Sequence, residues 1–195
     1  MTQRSMLVGW APTVVIRAGG EVQVAGWDGD RLEAETEGRW GLQVRPRGGA
    51  VEVQIGGSGV VRLPFGSTVT VYSGKSADVR DVRGRLTVYA GGSAFLREVS
   101  TVVHVSGGGI VDVTAERVEG GDVKLTAGGH LRCAIGDLHD RRLLVRDLGG
   151  RWEGVIGEAR AALRLEAGGD VTLVTEQVVA AQPPHYVLGR IERPA

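Results

Sequence analysis

The sequence predicts an all-β protein, a parallel β-solenoid (β-helix) of about six coils of about 20 residues each, with an N-terminal β-strand region. Two observations support this prediction. The first is a series of Gly-Gly pairs at intervals of 17, 20, 21 and 19 residues, which begin at Gly91, Gly108, Gly128, Gly149 and Gly168. The second is a set of apolar columns that emerges when the units between these pairs are aligned. Self-similarity at a fixed period of this size is typical of stacked repeats.

Five apolar columns run through the aligned units between Ser76 and Val178. The first column consists of Ala77, Ala94, Val113, Cys133 and Gly154, and the fourth consists of Leu86, Val103, Val123, Leu143 and Leu163. Only Gly154 in the five columns lacks an apolar side chain. A spacing of two within each half-unit is the period of a β-strand, so each unit is interpreted as two short strands separated by a polar corner. We expect Gly-Gly to close each coil because a tight corner often needs a positive φ.

Residues 13–63 also show strand-like alternation, interrupted by turn signals such as Gly19-Gly20 and Gly48-Gly49. Asp28-Gly29 lies between two such runs and is a hairpin candidate. The region is either a small antiparallel sheet or a set of irregular first coils. Pro64 and Phe65 mark its junction with the repeats.

The sequence therefore divides into three segments. Residues 1–63 form the N-terminal β-strand region or irregular first coils, residues 64–178 the solenoid, and residues 179–195 a C-terminal tail. An exposed end of a repeat stack offers unpaired backbone groups to another chain. The tail either caps that end or acts as an arm that docks on a neighbouring subunit.

Composition limits the classes of function. The chain of 195 residues has 23 basic and 23 acidic residues, so its formal net charge is zero, which argues against a nucleic-acid binder. One cysteine excludes a disulfide framework within the chain. No apolar run is long enough for a signal peptide or a membrane span. We therefore expect a cytoplasmic protein, or an envelope-associated one if a leader has been removed.

Several stretches resemble the bacterial family known as putative adhesins, which are Gly-rich β-solenoid domains of unknown function. These stretches are Gly19 to Asp30, Leu63 to Ser67, Gly121-Asp122-Val123 and Gly169-Asp170-Val171, and the similarity covers about residues 13–178. The resemblance implies a β-solenoid and an envelope or stress-response setting. It implies no catalytic residues.

Three tryptophans, Trp10, Trp27 and Trp40, cluster in the N-terminal region and are the candidate ligand-binding residues. They could form a platform for a sugar ring. The alternative is that they cover the open end of the core.

Two outward columns carry charge. The first, read as a solvated charge ladder, contains Asp81, Glu98, Arg117, Asp137 and Glu158. The second is a mildly basic face, along which an anion or polymer could lie, made of Thr87, His104, Lys124, Leu144 and Arg164. His130, Cys133 and His139 have the residue types of a metal site, but their predicted positions diverge, so no metal is expected.

The residues thus favour a non-enzymatic structural or scaffold protein that self-associates or presents a surface to other proteins, with a homo-oligomer as the expected state. The alternative is a binding module for polysaccharide or another surface polymer. A carbohydrate-active enzyme is the third hypothesis, and it ranks below both. No catalytic residue, cofactor, metal, nucleic acid or membrane span is expected.

Overall fold

A computed structural model describes residues 1–37, 41–118, 121–138, 140–148, 150–156, 161–175 and 191–192. Within these ranges the chain is all-β, as predicted, and its strands belong to one sheet. The strands are β1 (Thr2–Leu7), β2 (Thr13–Ala18), β3 (Val22–Trp27), β4 (Arg31–Thr36), β5 (Leu42–Arg47), β6 (Ala50–Ile55), β7 (Gly59–Pro64), β8 (Thr68–Ser73), β9 (Ala77–Arg80), β10 (Arg85–Ala90), β11 (Ala94–Gly107), β12 (Val111–Val118), β13 (Val123–Ala127), β14 (Leu131–Asp137), β15 (Arg141–Asp147), β16 (Gly150–Ile156), β17 (Ala161–Ala167), β18 (Val171–Val174) and β19 (Ile191–Glu192).

The hydrogen-bonded order of the strands forms two runs. The first run is β5-β6-β2-β8-β10-β11-β13-β17-β15-β16, and the second is β1-β4-β7-β3-β9-β11-β12-β14-β18-β19. The long strand β11 belongs to both runs, because its first residues pair with β9 and β12 and its last with β10 and β13. The sheet therefore wraps around one apolar core as a nearly closed, barrel-like layer.

The predicted parallel β-solenoid is wrong, because the sheet is mixed. Strand pairs β1–β4, β4–β7, β5–β6 and β15–β16 are antiparallel, whereas the pairs between them are parallel. The unit expected around Gly149 is instead the β15–β16 hairpin, with Gly149 itself outside the described residues. The apolar alternation could not reveal this, because a strand alternates with a period of two in either direction.

Alternate residues of both runs point into the core, and the predicted inward positions are buried wherever their burial is described, with one exception. Val103 is bulged out of register, and Val102, which is fully buried, pairs with Leu86 in its place. The predicted pairing also slips by two residues, since Ala94 pairs with Val111 rather than Val113. A slip of two leaves the same face inward, so the pattern of apolar residues does not detect it.

Glycine is required at the repeated turns for a different reason from the one predicted. A Cβ on Gly108 would lie 2.2 Å from the carbonyl oxygen of Gly91, and one on Gly128 would lie 2.1 Å from that of Gly108. The same close approach links one turn to the next through Gly56, Gly19, Gly74, Gly91, Gly108, Gly128 and Gly168. None of these glycines has a positive φ. The turns need glycine because their backbones stack directly on one another.

The hairpin candidate at Asp28-Gly29 is also wrong, because β3 and β4 do not pair with each other. The hairpin lies at Gly48 and Gly49, whose φ values of 58° and 81° suit a two-residue turn between β5 and β6. Both alternatives for the N-terminal region are partly present, as β2 and β3 join parallel neighbours while β4 and β5 are antiparallel. The three-segment division stays a prediction, and most of the tail lies outside the described residues. In the described ranges, no helix has the length and apolar character needed to cross a membrane.

Candidate functional site

The outward side of the first run carries a continuous row of polar side chains, one from each of six neighbouring strands. Strand pairing places them side by side in the order Gln43, Gln54, Arg17, Tyr72, Tyr89 and Ser106. With strands about 4.8 Å apart, this polar row is roughly 24 Å long. It presents amide, guanidinium and hydroxyl groups to solvent along a single line.

The aromatic rings in the polar row are stacked on their neighbours. The rings of Tyr72 and Tyr89 are parallel within 9°, with centroids 5.1 Å apart, and His104 lies 4.9 Å from Tyr89. The guanidinium carbon of Arg17 lies 4.3 Å from the centroid of Tyr72. Because the ring faces are covered by one another, a ligand can reach mainly the ring edges and hydroxyl groups. Tyr89 remains 39% exposed.

An open groove of about 660 Å³ follows the polar row. All six residues of the polar row line it, and the stacked turn glycines Gly19, Gly56, Gly74 and Gly91 contribute its other wall. Since these four glycines are exposed and carry no side chains, their backbone is accessible there. The close stacking of the turns thus also shapes the groove.

A cluster of arginines surrounds one carboxylate at the β5 end of the groove. Glu52 lies 3.2 Å from a guanidinium nitrogen of Arg45, 3.2 Å from one of Arg47 and 3.6 Å from that of Arg17. The Gln54 amide donates a hydrogen bond of 3.1 Å to Oε1 of Glu52, the oxygen that also faces Arg17, whereas Arg45 and Arg47 contact Oε2. The side chain of Glu52 is 8% exposed, whereas those of the three arginines are 48% to 70% exposed.

Hydrogen bonds hold Glu52 in its ionised form. Those from Gln54 and then from Arg47 and Arg45 lower the pKa of Glu52 from its ordinary value, although burial opposes the shift. Three positive charges therefore surround one negative charge, which leaves this arginine cluster with a net charge of about +2.

The predicted basic face is present in the first run. Thr87 pairs with His104, His104 with Lys124, Lys124 with Arg164, and Arg164 with Leu144. Burial, followed by the charge of Lys124, lowers the pKa of His104. Glu166 lies 2.7 Å from the Lys124 ammonium, so the positive charge of this column is partly neutralised.

The structure describes two of the three tryptophans. Trp10 is 68% exposed and lies beside the Gly66 turn, while Trp27 is half-buried against Gly29 and donates a 3.0 Å hydrogen bond to the Arg31 carbonyl. Trp40 lies outside the described residues. Their role as ligand-binding residues stays a prediction.

The structure describes part of the acidic ladder and part of the group formed by His130, Cys133 and His139. Arg117 pairs with Asp137, so the acidic line is interrupted as expected, and Glu158 lies outside the described residues. His130 lies 3.5 Å from Asp170, whereas Cys133 is buried and its pKa is raised to about 12, chiefly by burial. His139 is not among the described residues, and in the described part of the chain no three potential ligands come together as a metal site.

Neither the polar row nor the arginine cluster was predicted from the sequence. A signal was available, because Tyr72 and Tyr89 each follow an inward valine, Val71 and Val88, in a recognised repeat. The arginine cluster gave no comparable signal, since it depends on β2 pairing with β6 and on the β5–β6 hairpin.

No family model and no curated protein matches the chain. Among solved structures, the chain has a distant similarity to the crystal structure of a putative cell adhesion protein from Clostridium sporogenes. The two chains are 9% identical over 89% of this chain and 98% of the other, with a TM-score of 0.39. The resemblance to putative adhesins stays a prediction for this chain.

Proposed function

We propose that this protein is a non-enzymatic binding module that holds an extended polysaccharide, or a similar surface polymer, along the outward side of the first run. The observation that supports this proposal most is the polar row beside its groove. A polymer with repeated hydroxyl groups can contact such a row at several points, and linked weak contacts reinforce one another.

The positions of the two groups with displaced pKa values on this side support a binding role rather than catalysis. Glu52 and His104 are separated by four strand intervals, through Val15, Thr70 and Thr87, which is about 19 Å. General acid and base groups must reach the same bond, and the two carboxyl groups of glycosidases lie within about 10 Å. Glu52 and His104 are too far apart to form such a pair.

The outermost strand of the first run is poorly suited to pairing with a second copy of the chain. Strand β5 carries Pro46, which has no N–H to donate, between the charged side chains of Arg45 and Arg47. Proline and exposed charges are devices that block pairing at a sheet edge. The expected homo-oligomer stays a prediction, and polymer binding is the stronger proposal.

The experiment is a titration of the protein with oligosaccharide and polysaccharide probes, followed by calorimetry, for the wild type and for Tyr72→Phe/Tyr89→Phe. This double variant keeps both stacked rings and removes only their hydroxyl groups. Each lost hydrogen bond costs on the order of 1 kcal/mol, so affinity should fall on the order of tenfold or more.

The matched control is Phe95→Ala, which removes an outward aromatic side chain of the second run. Its affinity should equal that of the wild type. Absence of binding to every glycan probe would contradict the proposal, as would an equal loss in Phe95→Ala and the tyrosine variant.

A further inference from the structure

We infer that Arg17, Arg45 and Arg47 form an anion-binding subsite that selects acidic polysaccharides, whose carboxylate or sulfate groups would lie at the β5 end of the groove. This inference rests on the proposed function, because it names the class of polymer that the same face takes.

The arginine cluster has more positive charge than its single carboxylate neutralises. Glu52 is shared among three guanidinium groups, so it neutralises only a part of their charge. Each guanidinium has five N–H donors, and one shared carboxylate cannot accept from all of them. Donors therefore remain for a second anion.

The guanidinium groups of the arginine cluster are accessible to an anion from solvent. Glu52 lies beneath the arginines with 8% of its side chain exposed, whereas Arg47 is 70% exposed and Arg17 52% exposed. An anion from solvent thus meets the guanidinium groups before it meets the carboxylate. A planar guanidinium matches carboxylate and sulfate oxygens with paired hydrogen bonds.

The side chains of Arg45 and Arg47 are held in position before any ligand binds. Glu52 and the two-residue turn at Gly48 and Gly49 hold Arg45 and Arg47 on the outward side of one strand, β5, of the hairpin. Arginine side chains that are already positioned lose less conformational entropy when they bind a ligand. The buried carboxylate therefore orients the donors for an external anion.

The arginine cluster is continuous with the polar row. Arg17 and Gln54 belong to the row, and both contact Glu52. Arg17 also stacks on Tyr72 and lines the groove, so a polymer that lies along the tyrosine edges reaches the arginine cluster at Arg17. Arg47 and Glu52 line an adjoining pocket that shares Arg17 and Gln54 with the groove. An acidic group on such a polymer would pair with guanidinium donors at that end.

The test compares polygalacturonate (carboxylate), dextran sulfate (sulfate), neutral dextran and poly(dT) as probes of the full chain at two salt concentrations. We expect the acidic polysaccharides to bind more tightly than dextran, and higher salt to weaken that binding because exposed charges are screened. In Arg45→Gln/Arg47→Gln, affinity for the acidic probe should fall on the order of tenfold or more.

The β15–β16 hairpin at the other end of the first run supplies the matched control. There Glu153 lies 3.0 Å from Arg151 and 3.7 Å from Arg142, but it is 50% exposed and lies outside the groove of the polar row. Arg142→Gln/Arg151→Gln removes the same net charge from the chain and should leave the affinity unchanged. Thermal unfolding of both double variants verifies that they fold.

Binding of either acidic polysaccharide with the expected difference between the two variants supports the subsite, and the preferred probe distinguishes carboxylate from sulfate. An equal loss in both variants would overturn it in favour of general charge attraction, and equally tight binding of poly(dT) would overturn the selection of polysaccharide. Tight binding of dextran that Arg45→Gln/Arg47→Gln leaves intact would overturn the subsite while the proposed function stands. If no glycan binds, the proposed function itself fails.

Discussion

The middle strands, β8 to β14, pair with one another in parallel, whereas β5 and β16 at the outer ends run antiparallel to their neighbours. In the middle, each turn stacks on the next through glycine backbone, as between Gly91 and Gly108. At the ends, ordinary hairpins carry clusters of arginine and glutamate. The repeat determines how the turns stack in the middle, whereas the arginine cluster around Glu52, on which the proposed anion subsite rests, lies where the repeat stops.

The stacked glycines of the middle should tolerate substitution least. A Cβ at Gly108 would lie 2.2 Å from the carbonyl oxygen of Gly91, and because that oxygen is backbone, the two turns must separate. We expect Gly108→Ala to lower the free energy of unfolding by about 3 kcal/mol. Urea denaturation monitored by circular dichroism measures the loss.

Gly121→Ala is the control for this substitution. No atom lies within 4 Å of a Cβ built there, and its φ is not positive, so the change should stay within about 0.5 kcal/mol. If Gly108→Ala were as stable as Gly121→Ala, the close stacking of the turns would not be what requires glycine.

The same contrast explains which parts of the fold the sequence could predict. Repeated Gly-Gly pairs and inward residues such as Val79 and Leu96 were predictable because the same local pattern recurs in each unit. The antiparallel direction of β16 was not predictable, since alternation carries no information about strand direction. The register of the strand pairs was not predictable either, because a slip of two residues keeps the same side chains inward.

The candidate site likewise has one part that the sequence could predict and one part that it could not. The pairing of His104 with Lys124 was predictable, because both residues occupy one column of the repeat. The approach of Arg17 and Arg45 to Glu52 was not, since it requires strands β2, β5 and β6 to meet outside the repeat. Long-range pairing of this kind leaves no periodic trace in a single sequence.

Core side chains offer a second test of the difference between the middle strands and the end strands. Leu125 on β13 is fully buried in the middle of the sheet, and Leu42 on β5 is 5% exposed at its edge. Leu125→Ala should cost about 3 kcal/mol of unfolding free energy because it leaves a cavity enclosed on all sides. Leu42→Ala should cost less, about 2 kcal/mol, because the end strand can relax into the space. Denaturant unfolding of both variants decides the order, and a larger loss at Leu42 would contradict it.

The smallest expected effect concerns the pH dependence of the β5 end. The hydrogen bonds of Gln54, Arg47 and Arg45 lower the pKa of Glu52 in the folded chain, so the unfolded chain binds more protons between the folded and unfolded pKa values. The contribution of Glu52 to stability is therefore fully present above its ordinary pKa, near 4.5, and is lost as the pH falls through the folded value.

In Glu52→Gln this contribution is absent at every pH. The difference in melting temperature between the wild type and Glu52→Gln should thus shrink when the pH is lowered from 7 to 3. Glu153→Gln is the control, because its carboxylate is half exposed between two arginines and solvent screens such pairs. A difference for Glu52→Gln that did not change with pH would mean that its carboxylate does not hold the arginines in place through its charge, and the rigidity argued for the arginine cluster would then have to come from the β5–β6 backbone alone.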